Sequence, residues 1–192
     1  MVLLASLNCF GASAFAAGFD PPANGWVNWE VPAVAGQTTD TVRIYAHFTG
    51  GKVDRLRPLS ADCAIELPSA VRSISLSEQT SVEWLESLMF KDSDPRIREH
   101  AAFGLGQIGR PNTEEAINKA LRAETNRDVR DQEIFALSRL PEERATRALI
   151  GTAQDKALPQ EDRKRAIFWL AQSGSDSALA YLDKVLAVDG SR

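Results

Sequence analysis

The chain has 192 residues, enough for one ample domain or two small ones, and 44% of them are apolar, an ordinary share for a protein with a packed core. A formal net charge of −4 argues against a nucleic-acid binder, which needs clustered Lys and Arg against phosphates. The bases here alternate with acids instead, as in Glu161-Asp162-Arg163-Lys164-Arg165, the pattern of a solvated helix face.

Met1 to Ala17 carry no charged side chain, and Ala14-Phe15-Ala16 is a small-x-small pattern that a signal peptidase accepts. The reading is a signal peptide over 1–16, cut after Ala16, with the mature chain periplasmic or secreted. Ser6, Asn8 and Gly11 interrupt the apolar run, which is too short to span a membrane. No Lys or Arg precedes that run, so either the true start lies upstream of Met1 or the stretch is a buried N-terminal helix. Ser6-Leu7-Asn8 makes a poor lipobox for Cys9. Once the signal is removed, Cys63 is the remaining cysteine. A lone thiol in an oxidising compartment is either buried and inert or free to pair with another chain, and burial is the expectation.

Residues 17–79 read as a small β-rich region. Trp26 to Pro32 forms a short strand ended by proline. In Val42 to Phe48 every even position is apolar, and Gly50-Gly51 follows. Two adjacent glycines can both take positive φ, as a tight turn demands, which predicts a hairpin over 41–59. Val71 to Leu76 is a last, less regular candidate strand. About sixty residues of strand are marginal alone, so the region is expected to pack on the first helices and cover their apolar end. Trp26 and Trp29 stand three apart and point to opposite faces of a strand, one of them toward that junction.

Residues 80–192 are built on a repeat. Asp94 to Gly109 returns as Asn126 to Pro141 and as Pro159 to Gly174, aligning Arg98 with Arg130 and Arg163, and Phe103 with Phe135 and Phe168. A period of 32 to 33 residues means a stacked array. The predicted buried stripes are Ala102, Phe103, Leu105 and Ile108, then Ile134, Phe135, Leu137 and Leu140, then Ile167, Phe168, Leu170 and Ala171. A second helix follows each copy, and another precedes the first, from about Ser81 to Lys91. The prediction is α+β by segment and mainly α: about seven helices in a short α-solenoid after the β-rich region.

The D-x-x-I/V-R opening of Asp94 to Arg98, the A-x-x-L-G-x-I-G-like close of Ala102 to Gly109 and the repeat length resemble HEAT repeats, over roughly Ser81 to Val188. The repeats are similar to those of the bacterial phycobilisome-lyase class, and the resemblance implies a protein-binding scaffold, with chromophore or cofactor handling as the alternative. The positions matching Asp94 are Asn126 and Pro159, so the opening Asp of an Asp-Arg ladder is not kept, though the arginines are in place. The whole chain also resembles exported bacterial proteins in which G-W-V-x-W-x-V-P and G-G-K/R-V-D-R-L segments precede such repeats, carried here by Gly25 to Pro32 and Gly50 to Leu56. In longer relatives a cysteine-bearing insert lies between those segments. This chain is short there, at 33–39, which the resemblance implies would leave Cys63 without its partner.

Other motifs give no chemistry. Gly104-Leu105-Gly106-Gln107-Ile108-Gly109 is a literal G-x-G-x-x-G, but a dinucleotide fingerprint opens a helix after a strand, whereas this one closes a helix. His47, His100 and Cys63 are far apart and lack metal-ligand spacing. The acidic pairs Glu114-Glu115, Glu142-Glu143 and Asp128-Asp131 fall at helix starts, where they oppose the helix dipole. No catalytic residue, cofactor or metal site is expected. The binding surface is placed on the second-type helices, taken as the concave side of the solenoid, at Glu86, Phe90, Asn118, Lys119, Arg122, Arg147, Ile150 and Gln154. Phe90 and Ile150 are apolar on an otherwise polar face, either contact anchors or side chains tucked between neighbouring helices. The expected partner is a protein or peptide bound by a non-catalytic, exported module without an integral membrane segment.

Overall fold

A computed structural model of the chain describes residues 19–35, 39–61, 63 and 70–189. The expected signal segment and Cys9 lie outside the described residues. Four strands come first: β1 (Asn24–Pro32), β2 (Thr41–Thr49), β3 (Lys52–Ser60) and β4 (Val71–Ser73), in the sheet order β3-β2-β1-β4. β1 and β2 pair antiparallel, as do β2 and β3, whereas β4 runs parallel to β1. Gly50 and Gly51 make the predicted tight turn with φ of 59° and 75°, a region that residues with a Cβ rarely enter.

β4 is shorter than the strand expected over 71–76. The Ile74 N–H still donates to the Asn28 carbonyl at 2.9 Å, but Ile74 and Leu76 then turn onto the core and Ser77 caps the first helix. Cys63 also departs from expectation, since it is exposed. It follows β3 directly, its N–H donating to the Ser60 carbonyl at 3.0 Å, beyond the last rung of the β2–β3 ladder.

One face of the sheet is mostly apolar, with Val27, Trp29, Val31, Val42, Ile44, Ala46, Phe48 and Leu56 buried. That face meets the helices at an aromatic cluster. The Trp29 and Trp84 rings lie edge to face with centroids 5.3 Å apart, a favoured quadrupole geometry. The Trp29 indole N–H donates to the Ser81 hydroxyl at 3.0 Å, so the large ring is buried with its polar atom satisfied. Trp26 takes the opposite face, beside the His47 ring.

Among the described residues seven helices follow: α1 (Glu78–Lys91), α2 (Pro95–Ile108), α3 (Pro111–Ala123), α4 (Arg127–Ser138), α5 (Glu142–Gln154), α6 (Gln160–Ser173) and α7 (Asp176–Asp189). Their ends are written in the sequence. Ser77, Asp94 and Asn126 accept N–H groups of the first turns of α1, α2 and α4, supplying partners that the helix start lacks. Gly109 and Gly174 end α2 and α6 in the left-handed region.

The helices stand in two rows. α2, α4 and α6 pack side by side in one, with α2 and α4 in close contact, whereas α3 and α5 in the other hardly touch. Gly106 explains the close approach, because a Cβ there would lie 2.4 Å from the Ala136 carbonyl oxygen of α4. On another face of α2, a Cβ at Gly104 would lie 3.0 Å from the Pro58 ring of β3.

The aromatic register is only partly as predicted. Phe103 and Phe135 stack with centroids 5.6 Å apart but are half-buried, not core. Phe168 is 46% exposed, and its neighbour Trp169 takes the place against Phe135, at 4.7 Å. The larger indole reaches back over Phe135, and among the described residues no helix follows α6 in its row to cover Phe168. Ala171, expected in the same buried stripe, is exposed as well.

Leu137 is fully buried in α4, so Leu137→Ala should lower the unfolding free energy by about 2–5 kcal/mol. Gly106→Ala should cost about 1–3 kcal/mol through overpacking against α4. Urea denaturation of both variants measures the two effects, and a neutral result at either position contradicts the packing described.

Candidate functional site

An arginine stands in register at the start of each helix of the closely packed row. The Arg98 guanidinium donates to the carbonyl of Asp92 at 2.9 Å, Arg130 to that of Thr125 at 3.0 Å and Arg163 to that of Leu158 at 2.6 Å. Each side chain reaches back to the loop between helices, Arg98 and Arg130 to carbonyls at or just beyond a helix C-terminus, where the dipole favours a cation, and Arg163 to the residue before the α6 N-cap. The same arginines take carboxylates from other elements: Arg98 pairs with Glu124 at 2.8 Å and Arg130 with Asp162 at 2.6 Å. The three arginines thus stand in register without a repeated opening Asp, because backbone carbonyls supply the constant part.

Glu124 ends α3 as its C-cap. Burial pushes its carboxyl up, but the Arg98 hydrogen bonds and the N–H groups of Asn126 and Thr125 outweigh that and hold it below the ordinary carboxylate value.

Glu133 has the opposite fate. It lies on α4, is 0% exposed, and neither of its carboxyl oxygens has a hydrogen-bond partner among the described residues. Burial, with the nearby Glu124 charge, pushes its pKa up to about 8, against the opposing pull of Arg98 and Arg130. A buried carboxyl with no donor to satisfy it disfavours its charged form.

A pocket of about 220 Å³ between the C-terminal ends of α1 and α3 is walled by Met89, Phe90, Asp92, Arg98, Glu124 and, beneath its surface, Glu133. Sequence reasoning passed over this residue, yet a signal was there. In the three aligned copies Glu133 matches Ala101 and Ala166, both fully buried, so a carboxylate occupies a position where the fold asks only for a methyl group.

Beyond it, a broader groove of about 750 Å³ separates α3 from α5. It brings together four of the residues predicted for binding, Asn118, Lys119, Arg122 and Arg147, with Arg144 and Glu114 beside them. Arg147 is largely exposed and lies 3.7 Å from Glu114. Arg122 pairs with Asp155 at 2.9 Å. Arg144 is committed to structure, bonding Glu114 at 3.0 Å and the Arg110 carbonyl at 2.7 Å.

Phe90 is 39% exposed and lies at the smaller pocket. The Lys119 ammonium stands 5.7 Å from its ring centroid, within cation–π range. Glu86 is half-buried, and burial beside Glu83 raises its pKa. Ile150 packs against the core, and Gln154 is exposed. Phe90, Asn118, Lys119, Arg122 and Arg147 therefore gather around two neighbouring concavities, whereas Ile150 serves packing.

Among the described residues no group of three or more His, Cys, Asp or Glu side chains is placed to hold a metal ion, and no helix is long and apolar enough to cross a membrane. Residues 82–160, from α1 to the first residue of α6, match the family of HEAT repeats. No curated protein matches the chain.

The sign of the Glu133 effect follows from its raised pKa. The folded chain holds a proton that the unfolded chain loses above the ordinary Glu value near 4.3. This residue's stability contribution is therefore full at acid pH and is lost as pH rises toward about 8. Glu133→Gln should stabilise the fold by about 1–3 kcal/mol at pH 8 and be near neutral at about pH 4. Thermal or urea unfolding at the two pH values checks this, and a variant less stable than the parent at pH 8 contradicts it.

Proposed function

We propose, from the HEAT-repeat match over residues 82–160, that the chain is an exported, non-catalytic scaffold that binds a protein or peptide on the face formed by α1, α3 and α5. The observation that carries this reading is the gathering of Phe90, Asn118, Lys119, Arg122 and Arg147 around two adjoining concavities. Repeat stacks offer extended surfaces of this kind because each unit contacts only its neighbours and leaves a row of helices free. An exposed aromatic ring beside several cations supplies an anchor with a polar surround, the usual anatomy of a hot spot.

The sheet supports the same reading from the other side. By covering α1 and α2 with Val27, Trp29 and Phe48, it closes the apolar end of the stack and leaves the grooved face as the working surface. Export rests on the uncharged run from Met1 to Ala17 and the Ala14-Phe15-Ala16 pattern.

Two measurements test these statements separately. Purified chain used as bait on the native extract, compared with a Phe90→Ala, Arg122→Ala, Arg147→Ala variant of unchanged circular dichroism, should lose its specific partner. Equal capture by both contradicts the assigned face. N-terminal sequencing of the chain from a periplasmic or culture fraction should begin at Ala17, whereas a chain found only in the cytosol and starting at Met1 contradicts export.

A further inference from the structure

Glu133 is unexplained by the repeat architecture. Ala101 and Ala166 fill the same position in the neighbouring copies without any polar group, and Gln or Ala there would spare the fold a desolvated carboxyl. A residue that breaks a local rule without a structural gain is where function is to be sought.

The surroundings specify the sign of a ligand. Asp92, Glu124 and Glu133 line the pocket against one cation, Arg98, and that guanidinium is already engaged by Glu124 and by the Asp92 carbonyl. α1 and α3 both end here, at Asp92 and Glu124, so the negative ends of two helix dipoles add to the carboxylates. The volume of about 220 Å³ admits one extended side chain and no helix or strand. Phe90, at the same pocket, already carries the chain's own Lys119 over its ring, so it is oriented to accept a cation.

We infer that this pocket receives a single cationic side chain, lysine or arginine, from a basic segment of the partner, with Glu133 as its counter-ion. The inference rests on the scaffold reading and specifies one contact within it. The charged groups around Glu133 are Arg98 of α2, the α1 and α3 caps Asp92 and Glu124, Arg130 of its own helix and Asp162 of α6. Because the two arginines are already paired with Glu124 and Asp162, the incoming cation is what favours the ionised carboxylate. Binding near neutral pH therefore displaces the carboxyl proton into solvent, and affinity rises with pH toward about 8.

The test uses the full chain with three small probes, n-butylguanidinium, n-butylammonium and the neutral, similarly shaped n-butylurea. In nitrogen–proton NMR titrations, one or both cations should shift the amides of Ala120, Ala123, Glu124 and Glu133, and butylurea should not. Glu133→Gln, which keeps the shape and the neutral state of the side chain, should weaken cation binding by about tenfold or more. Glu143→Gln, an exposed change on α5, should leave it unaltered. Calorimetry at about pH 7 in two buffers of different ionisation enthalpy should show release of close to one proton per cation bound.

The inference is overturned if butylurea binds as well as the cations, if Glu133→Gln binds as the parent does, or if neither cation binds at about 50 mM, the weak limit for a ligand of this size. Any of these results removes the pocket assignment and leaves the scaffold reading standing, because that reading is judged by partner capture through Phe90, Arg122 and Arg147.

Discussion

Helix α2 is wedged between two surfaces, and the rest of the structure depends on how tightly it fits. Toward the sheet it presents Gly104 to Pro58; toward the next repeat it presents Gly106 to the backbone of α4. Glycine inside a helix costs roughly 1 kcal/mol against alanine, and here the cost is offset by a backbone approach at Gly106 that no Cβ permits and by tight packing of Gly104 on the Pro58 ring. The motif that looks like a nucleotide loop is therefore a packing device. It lets one helix join a β-sheet to a helical stack within a single hydrophobic core.

The tight packing of α2 against α4 has a consequence on the other row. α3 and α5 are left hardly touching, and the space between them becomes the larger groove. Arginines at the starts of α2, α4 and α6 tie the inter-helix loops to the stack through carbonyls and through Glu124 and Asp162. Such half-buried, multiply bonded pairs hold geometry more than they add stability. They frame Glu133, whose carboxyl, unsatisfied among the described residues, runs against foldability.

Much of this was legible from residue pattern. The Gly50-Gly51 turn, the even-numbered apolar face of β2 and the seven helices follow from periodicities of two and 3.6 and from capping residues. That Trp26 and Trp29 take opposite faces follows from strand geometry, but which of them meets the helices does not. The repeat alignment located the arginines but misread the aromatics, because sequence register does not say which side of a helix a neighbouring row will cover. Phe168 and Trp169 are adjacent in sequence, and only the position of α4 decides which of them stacks on Phe135. Cys63 escaped because its exposure is set by where the chain leaves β3. Glu133 was visible as an acid among alanines, but its burial and the pocket beside it depend on α1 and α3, far from it in sequence.

The central claim is that Glu133 keeps a buried carboxyl, without a hydrogen-bond partner among the described residues, at a pocket proposed to receive a cation. Carbon-13 NMR of selectively labelled glutamate in the full chain measures it most directly, by following the Glu133 carboxyl through a pH titration. The account predicts a midpoint near 8 in the free chain, moving down when n-butylguanidinium is present. A midpoint at the ordinary glutamate value, unchanged by the cation, would contradict it.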